Sequence, residues 1–481
     1  MKKIHFGTDG WRAVISDEFT FANVEIISQA MADYIGGIKS KIRNKKSELY
    51  KKQYAVCIGY DTRFLSEKYA EIVATVLSAN GIKVFLSDRS TPTPSVSFYI
   101  RKHNLIGGVM ITASHNPFNY NGVKYKGYFG GSVGTEITGK MEKGLYKSKV
   151  KKISIDEARK RKLFDYKDLT KEHIESVKRF IDLKSLKNIK LKVLVDSMNG
   201  TGKDFLEQIL SNTKMKIDMI YAKRDAYFGG RSPEPNEHYL SCTAKKVKKG
   251  KYDLGLATDG DADRLGVISS DGKVLTGHKV MTLLFLHLLE DRKKRGGVVQ
   301  TICGTKLIDK ICAEYGLETF ETSVGFKYIA QIFLQENILV GGEETGGVAF
   351  KGWLPERDGI VSALMILEMI AYRKKSLKKI LEHIDKKYGT YVYKRCDLEF
   401  SEKKKKKLMG ILKNKPFKSI NGKKVVNVKS FDGFKYILQD DSWVMFRASG
   451  TEPKLRIYSE ASSGKKAQSL VDCGKRFANR V

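Results

Sequence analysis

The sequence contains no run of about 18 apolar residues, the length a membrane-spanning helix needs, so no membrane partner is expected. Its first residues, MKKIHFGTDGWRA, lack the apolar centre of a secretory signal, and a cytoplasmic location is the expectation. Six cysteines, Cys57, Cys242, Cys303, Cys312, Cys396 and Cys473, are scattered with no CxxC pair, which argues against a disulfide framework and against a zinc site. Zinc-finger spacing and RNP-like aromatic motifs are missing as well. The net charge of +34 therefore reads as a lysine-rich solvated surface that steers phosphate-bearing substrates inward, not as a dedicated nucleic-acid interface. Every Gly-Lys pair lacks the Ser or Thr of a Walker motif, and ATP is not the expected phosphoryl donor.

What is present is the composition of a large folded protein. A chain of 481 residues exceeds one core and should divide into about three or four domains. Hydrophobic content of 41% with 10% aromatics fills such interiors, and 30% charged residues cover them. Helical spacing over Phe21–Ile42 is followed by an apolar strand over Tyr54–Tyr60, a helix to about Asn80 and a strand over Gly81–Leu86. Thr91-Pro92-Thr93-Pro94 opens another helix, a strand follows over Leu105–Ile111, and a lysine-rich helical stretch is expected over Lys140–Lys184. New strands begin at Leu191, Tyr252, Val298 and Ile338. From about Gly389 the character changes to alternating strands around Val425–Val428, Tyr436–Leu438 and Trp443–Arg447. The expected fold is α/β. Three similar mixed α/β domains (1–185, 186–296 and 297–388) and a smaller C-terminal α+β domain (389–481) would surround a central cleft. Each of the first three ends a strand in a polar loop, at Ser114, Asp259 and Glu343, a repeat that can aim three loops at one cleft.

The loops differ in chemistry. In ITASHNPFNYNGVKY, Ile111 to Tyr125, the Ser114 hydroxyl is crowded by His115, Asn116, Pro117, Asn121, Gly122 and Lys124. Ser114 alone could be a helix or turn cap, but that company suits a nucleophile or phosphate carrier. In DGDADR, Asp259, Asp261 and Asp263 alternate along one loop, repel one another unless a cation intervenes, and offer oxygen ligands to a hard ion such as Mg²⁺. An EF-hand does not fit, because its sixth position must be Gly and here it is Arg264. GEETGG, Gly342–Gly347, places Glu343 and Thr345 where they can read hydroxyls. RASGTEPKLR, Arg447–Arg456, combines hydroxyls, turn amides and two guanidinium groups in the manner of an anion nest. Arg12, presented beside the Gly-Thr-Asp-Gly turn, also suits phosphate.

Together TASHNP at Thr112–Pro117, DGDADR, GEETGG and RASGTEPKLR resemble the α-D-phosphohexomutases, the phosphoglucomutase and phosphomannomutase enzymes, in that family's order. The resemblance implies three related α/β domains with a smaller final one. It makes Ser114 the phosphorylated serine, carrying about −1.5 to −2 charges, and with Asp259, Asp261 and Asp263 a ligand of Mg²⁺. Lys124 corresponds to a lysine that assists proton transfer, and Arg12 and His115 to residues lining the same cleft. Glu343 and Thr345 correspond to the sugar-hydroxyl readers, with Arg264, Lys327 and Arg357 completing the substrate-binding set. Arg447, Ser449, Gly450, Thr451 and Arg456 correspond to the distal phosphate dock. The implied reaction interconverts hexose 1-phosphate and hexose 6-phosphate through phosphoserine and a hexose 1,6-bisphosphate, a trace of which acts as activator. A monomer or dimer working on a small phosphosugar is expected.

The sugar is read from departures within the family pattern. Many mannose-active or dual-specificity members carry His where this chain has Gly347, and Thr345 replaces the more usual Ser. Gly325-Phe326-Lys327 resembles the Gly-aromatic-Lys of phosphoglucomutases more than the Gly-His of the dual group, and glucosamine mutases usually carry Gln and Ser at Glu344 and Thr345. Glucose is the favoured sugar, with mannose or dual specificity the alternative. A rival class, a phosphate- or nucleic-acid-binding protein that no longer catalyses, is opposed by the intact Ser114, the three aspartates and Lys124.

Overall fold

In the computed structural model, which describes residues 4–7, 9–450 and 453–481, the chain forms two compact units. One runs to Arg295 and resumes over Phe326–Leu377; the other takes Gly296–Gly325 and Lys378–Val481. Among the described residues no helix is long and apolar enough to cross a membrane.

The first sheet contains β1 (Trp11–Val14), β2 (Gln53–Tyr60), β3 (Lys83–Ser87), β4 (Leu105–Ile111), β5 (Tyr120–Gly127) and β6 (Phe164–Lys167), in the order β1-β5-β4-β2-β3-β6. Strands β4, β2, β3 and β6 run parallel, while β5 turns back antiparallel on β4 and β1 on β5. The unbroken apolar run of β2 follows from burial on both faces. Val56 and Ile58 pack with the helices Phe21–Gly37 and Ser66–Ala79, whereas Ala55 and Cys57 pack with Val96, Tyr99 and Ile100 of the helix Thr93–Lys102.

The stretch Lys140–Lys184 is not one helical segment. Helices Thr135–Gly144, Ile155–Lys160 and Lys171–Phe180 are interrupted by β6. This strand is at the sheet edge and buries only Phe164 of its four residues, so it leaves no periodic signal in the sequence.

The second sheet, β7 (Lys192–Asp196), β8 (Lys216–Ile220), β9 (Leu254–Thr258) and β10 (Leu265–Ser269), has the order β10-β9-β7-β8, with β10 antiparallel to β9 and the rest parallel. In the second unit, β11 (Gly297–Thr301) pairs in parallel with β12 (Thr319–Thr322). In the first, β13 (Ile338–Gly342) and β14 (Val348–Phe350) form an antiparallel hairpin. The repeat expected from sequence thus has a definite form. The loops 112–119, 259–264 and 343–347 are the turns joining β4 to β5, β9 to β10 and β13 to β14.

The second unit also holds an antiparallel sheet of β15 (Val392–Glu399), β16 (Ser419–Ile420), β17 (Lys423–Lys429), β18 (Phe434–Leu438), β19 (Trp443–Ala448) and β20 (Lys454–Ala461), in the order β15-β20-β19-β18-β17-β16. Helices Glu402–Asn414 and Gly464–Asn479 contribute Leu408, Leu412 and Leu470 to a core with Tyr436, Phe446 and Ile457. The α+β character expected for this region holds. Three of its strands escape the sequence reading: β15 alternates exposed charges with half-buried residues, β16 has only two residues, and β20 begins inside the RASGTEPKLR motif.

Candidate active site

Ser114 follows β4 with a backbone φ of 53°, a left-handed conformation that costs a non-glycine residue energy unless its surroundings impose it. Arg63 imposes it. Its buried guanidinium donates from Nη2 to the carbonyls of Ser114 at 2.6 Å and Asn116 at 2.7 Å, from Nη1 to those of Pro117 at 2.7 Å and Tyr120 at 3.0 Å, and from Nε to Asp61 Oδ2 at 3.0 Å. All five N–H donors of the arginine are thereby used. Asp61 Oδ2 also accepts from Thr112 Oγ1 at 2.6 Å, and that hydroxyl accepts from the Ser114 amide at 2.8 Å. One buried Asp-Arg pair thus fixes the serine turn from below.

The metal-loop carboxylates meet this turn. Ser114 Oγ donates to Asp259 Oδ2 at 3.0 Å and lies 3.4 Å from His115 Nδ1. The loops pack backbone to backbone, because a Cβ at Gly260 would stand 2.7 Å from the Ser114 carbonyl. Asp259, Asp261 and Asp263 are buried and each offers an oxygen within 4.8 Å of the others. Burial, with the neighbouring Asp263 and Asp261, pushes the Asp259 carboxyl well above its ordinary range. Burial would also raise Asp261, but Lys124 and the Thr93 hydroxyl, 2.6 Å from Oδ2, hold it below. Asp261 Oδ1 and Asp263 Oδ1 are buried and accept no hydrogen bond. Orphaned buried carboxylate oxygens converging in one place fit a hard divalent cation such as Mg²⁺.

Lys124, fully buried on β5, lies between Asp261 Oδ2 at 3.0 Å and Asp9 Oδ2 at 3.1 Å. Burial alone would depress its ammonium; the Asp261, Asp9 and Asp263 charges outweigh that and push it up to about 12. Arg12 lies on β1 rather than in the turn before it, and its Nη1 donates to Asn116 Oδ1 at 2.8 Å. Arg264 faces Asp259 at 3.9 Å and Asp263 at 3.7 Å, with Nε and Nη1 making no hydrogen bond.

Arg357 connects the third loop to the other two. Its Nη2 is 2.7 Å from Asp263 Oδ2 and 3.2 Å from Asp9 Oδ2, and its Nη1 is 3.2 Å from Glu343 Oε2. The guanidinium also lies 5.0 Å over the Phe326 ring. Thr345 Oγ1 is buried without a hydrogen-bond partner. Lys327 is buried at the start of the helix Phe326–Gln335, where desolvation depresses its ammonium and Asp9 partly restores it.

On the second unit, Arg447 and Arg456 stand directly opposite each other on β19 and β20, like charges in register. Asp432 takes Arg447 Nε at 3.0 Å, and Asp397 lies 3.6 Å from Arg456 Nε. Ser449 closes the hairpin through its amide to the Lys454 carbonyl at 2.9 Å, and Gly450 follows in the turn. Thr451 lies outside the described residues.

The first unit therefore brings together Arg12, Ser114, His115, Lys124, the three aspartates, Arg264, Lys327, Glu343, Thr345 and Arg357. Sequence reasoning gave no role to Asp9, Asp61, Arg63 and Thr93. It also passed over the fully buried pair of Lys126 and Glu356, 2.6 Å apart beside Arg357. The available signal was charged residues at strand ends, Asp61-Thr62-Arg63 just after β2 and Gly-Thr-Asp-Gly just before β1.

Comparison with known proteins bears on the same residues. Models of the phosphoglucomutase/phosphomannomutase family match along the chain: α/β/α domain I over residues 3–151, domain II over 171–272, domain III over 276–388 and the C-terminal domain over 398–473. A phosphoglucomutase/phosphomannomutase of Thermococcus kodakarensis is 33% identical over 475 residues, covering 98% of this chain and 97% of the other. A phosphoglucosamine/phosphogalactosamine mutase of Sulfurisphaera tokodaii is 30% identical over 481 residues, covering 97% of each. The crystal structure of a putative phosphomannomutase from Thermus thermophilus superposes with a TM-score of 0.85 at 31% identity, covering 99% of both chains. Its three α/β domains, its C-terminal domain and its metal-competent aspartate loop make this chain a member of the phosphoglucomutase/phosphomannomutase family, an isomerase of the phosphohexomutase type.

Proposed function

We propose that the enzyme interconverts glucose 1-phosphate and glucose 6-phosphate by two phosphoryl transfers through Ser114. The observation that carries this reading is the convergence on one strained, buried serine of three aspartates with orphaned oxygens and a buried ammonium. In the first transfer the bond from Ser114 Oγ to phosphorus breaks as a bond forms to the free sugar hydroxyl, whose proton ends on the departing Ser114 Oγ. The bisphosphate turns around, and the second transfer returns the other phosphate to Ser114 Oγ. Mg²⁺ held by Asp259, Asp261, Asp263 and a phosphoserine oxygen would supply neutralisation of charge on the transferred group. Lys124 keeps a cation and a proton donor beside that group, with Arg12 and His115 along the same wall. Thr345 offers its unpaired hydroxyl, and Glu343 its carboxylate, to the sugar; Arg264, Lys327 and Arg357 supply positive charge. Arg447, Ser449, Gly450, Thr451 and Arg456 hold whichever phosphate is not reacting, and traces of glucose 1,6-bisphosphate keep the serine charged.

The choice of glucose rests on Thr345, on Gly325-Phe326-Lys327 and on Gly347. A Cβ at Gly347 would come within 2.3 Å of Arg357 Cδ, so a larger residue there would displace the arginine that Asp9, Asp263 and Glu343 hold. Mannose and glucosamine phosphates are the competing substrates, since relatives bear those names. Comparing kcat/KM on glucose, mannose and glucosamine 1-phosphates decides among them; preference for either of the latter overturns glucose. Intact-mass analysis after incubation with glucose 1,6-bisphosphate should show one added phosphate, lost in Ser114→Ala.

A further inference from the structure

One cavity of the first unit, apart from the reaction site, combines positive charge with ring surface. Its volume is about 560 Å³, within the range of roughly 300–1,000 Å³ found for small-molecule sites. Three cationic side chains line it, Lys52, Arg101 and Lys351, against one carboxylate, Glu336. Each cation rests on a neutral oxygen. Lys52 Nζ donates to Asn104 Oδ1 at 2.6 Å, Arg101 Nη1 to the Trp353 carbonyl, and Lys351 Nζ to the Arg295 carbonyl at 2.9 Å. None of the three forms an ion pair with a carboxylate among the described residues. Partial burial and the nearby Arg101 depress the Lys52 ammonium, so two like charges share the wall, with the Glu48 carboxylate held by the Tyr128 hydroxyl.

The same cavity is lined by Tyr128, Phe129 and Trp353, and Lys52 Nζ stands 5.3 Å over the Tyr128 ring. Trp353 is itself packed with Phe98, His173 and Phe180, and the ring surface that Tyr128 and Phe129 add to the lining suits a flat ring, while the cations take phosphate. The wall formed by Lys351 to Pro355 runs directly into Glu356 and Arg357, so a ligand seated here would bear on the segment that carries the Arg357 hub.

We propose that this cavity binds a nucleoside diphosphate as an effector, its phosphates between Lys52, Arg101 and Lys351 and its base against Tyr128, Phe129 and Trp353. The missing Walker motif is consistent with binding that transfers nothing. The test uses the full chain with glucose 1,6-bisphosphate present to fill the reaction site, and follows ADP binding by calorimetry and by tryptophan fluorescence. ADP should bind more tightly than pyrophosphate or adenosine alone and change the fluorescence, and Trp353→Phe should remove that optical signal while calorimetric binding persists. Lys52→Gln combined with Arg101→Gln should weaken ADP by about tenfold or more, equivalent to about 1.4 kcal/mol, with mutase turnover in the absence of ADP unchanged. Lys351→Gln, at an exposed position, tests the same charge if the double variant does not fold. No binding by the wild type, unchanged affinity in the variants, or pyrophosphate binding as tightly as ADP would each overturn the proposal.

Discussion

The serine loop and the metal loop occupy equivalent places, each the turn between a parallel strand and its antiparallel partner, yet they are held in opposite ways. The serine turn is saturated with hydrogen bonds: Arg63 takes three of its carbonyls and that of Tyr120 at the start of β5, and Thr112 takes its Ser114 amide. The metal turn keeps buried carboxylate oxygens without partners and crowds three acids within 4.8 Å. A group that must receive and return a phosphoryl unit needs a fixed position, and saturation supplies it. A group that must grip a cation needs unfilled acceptors, and these cost stability until the cation arrives.

The largest effect expected from breaking this contrast is at its reacting atom. Ser114→Ala should lower turnover by roughly 10⁴-fold or more, since in the proposed reaction it removes the atom that carries the phosphoryl group. The backbone clamp does not involve Oγ, so circular dichroism and thermal midpoint should stay close to wild type. Activity within tenfold of wild type would overturn the assignment.

A smaller effect should follow from loosening the clamp. Arg63→Lys offers at most three donors where five are used, so at least two of the five bonds are lost in a buried site. At about 1.5–3 kcal/mol for each hydrogen bond to a charged group, two lost bonds cost roughly 3–6 kcal/mol in stability, visible as an earlier urea midpoint. Misplacing Ser114 should cost about 10²-fold in kcat, with KM for the hexose phosphate changed far less. Equal loss in both parameters would mean that Arg63 acts through substrate binding.

How far the sequence discloses these loops follows from the same contrast. DGDADR displays its acids in alternation, so the cluster that could hold a cation was legible. The clamp was not, because Arg63 lies 51 residues from Ser114 and acts through carbonyls, which have no sequence signature. Parallel strands buried on both faces announced themselves as apolar runs, as β2 and β4 show, whereas the edge strand β6 did not. Arg357 was named from the sequence, but its carboxylate partners were not legible for a further reason: Asp9, Asp263 and Glu343 meet around it from three separate hairpins or turns, and only the fold brings them together.

The smallest expected effect isolates the metal loop. If its orphaned oxygens await a cation, Mg²⁺ should raise the thermal midpoint of the wild-type chain relative to EDTA, by the equivalent of about 2.7 kcal/mol when free Mg²⁺ is a hundredfold above its Kd. Asp261→Asn should shrink that increment, because the amide is a weaker ligand for a hard ion. In EDTA the same variant should not be stabilised by relief of acid crowding, since Asp261 is the carboxylate that Lys124 and Thr93 already hold charged. Asp259→Asn provides the opposite case: its carboxyl is pushed upward by burial and its two neighbours, so neutralising it should raise the midpoint in EDTA while abolishing the Mg²⁺ increment. Equal midpoints for both variants in EDTA would show that the three acids do not differ in the way their surroundings require.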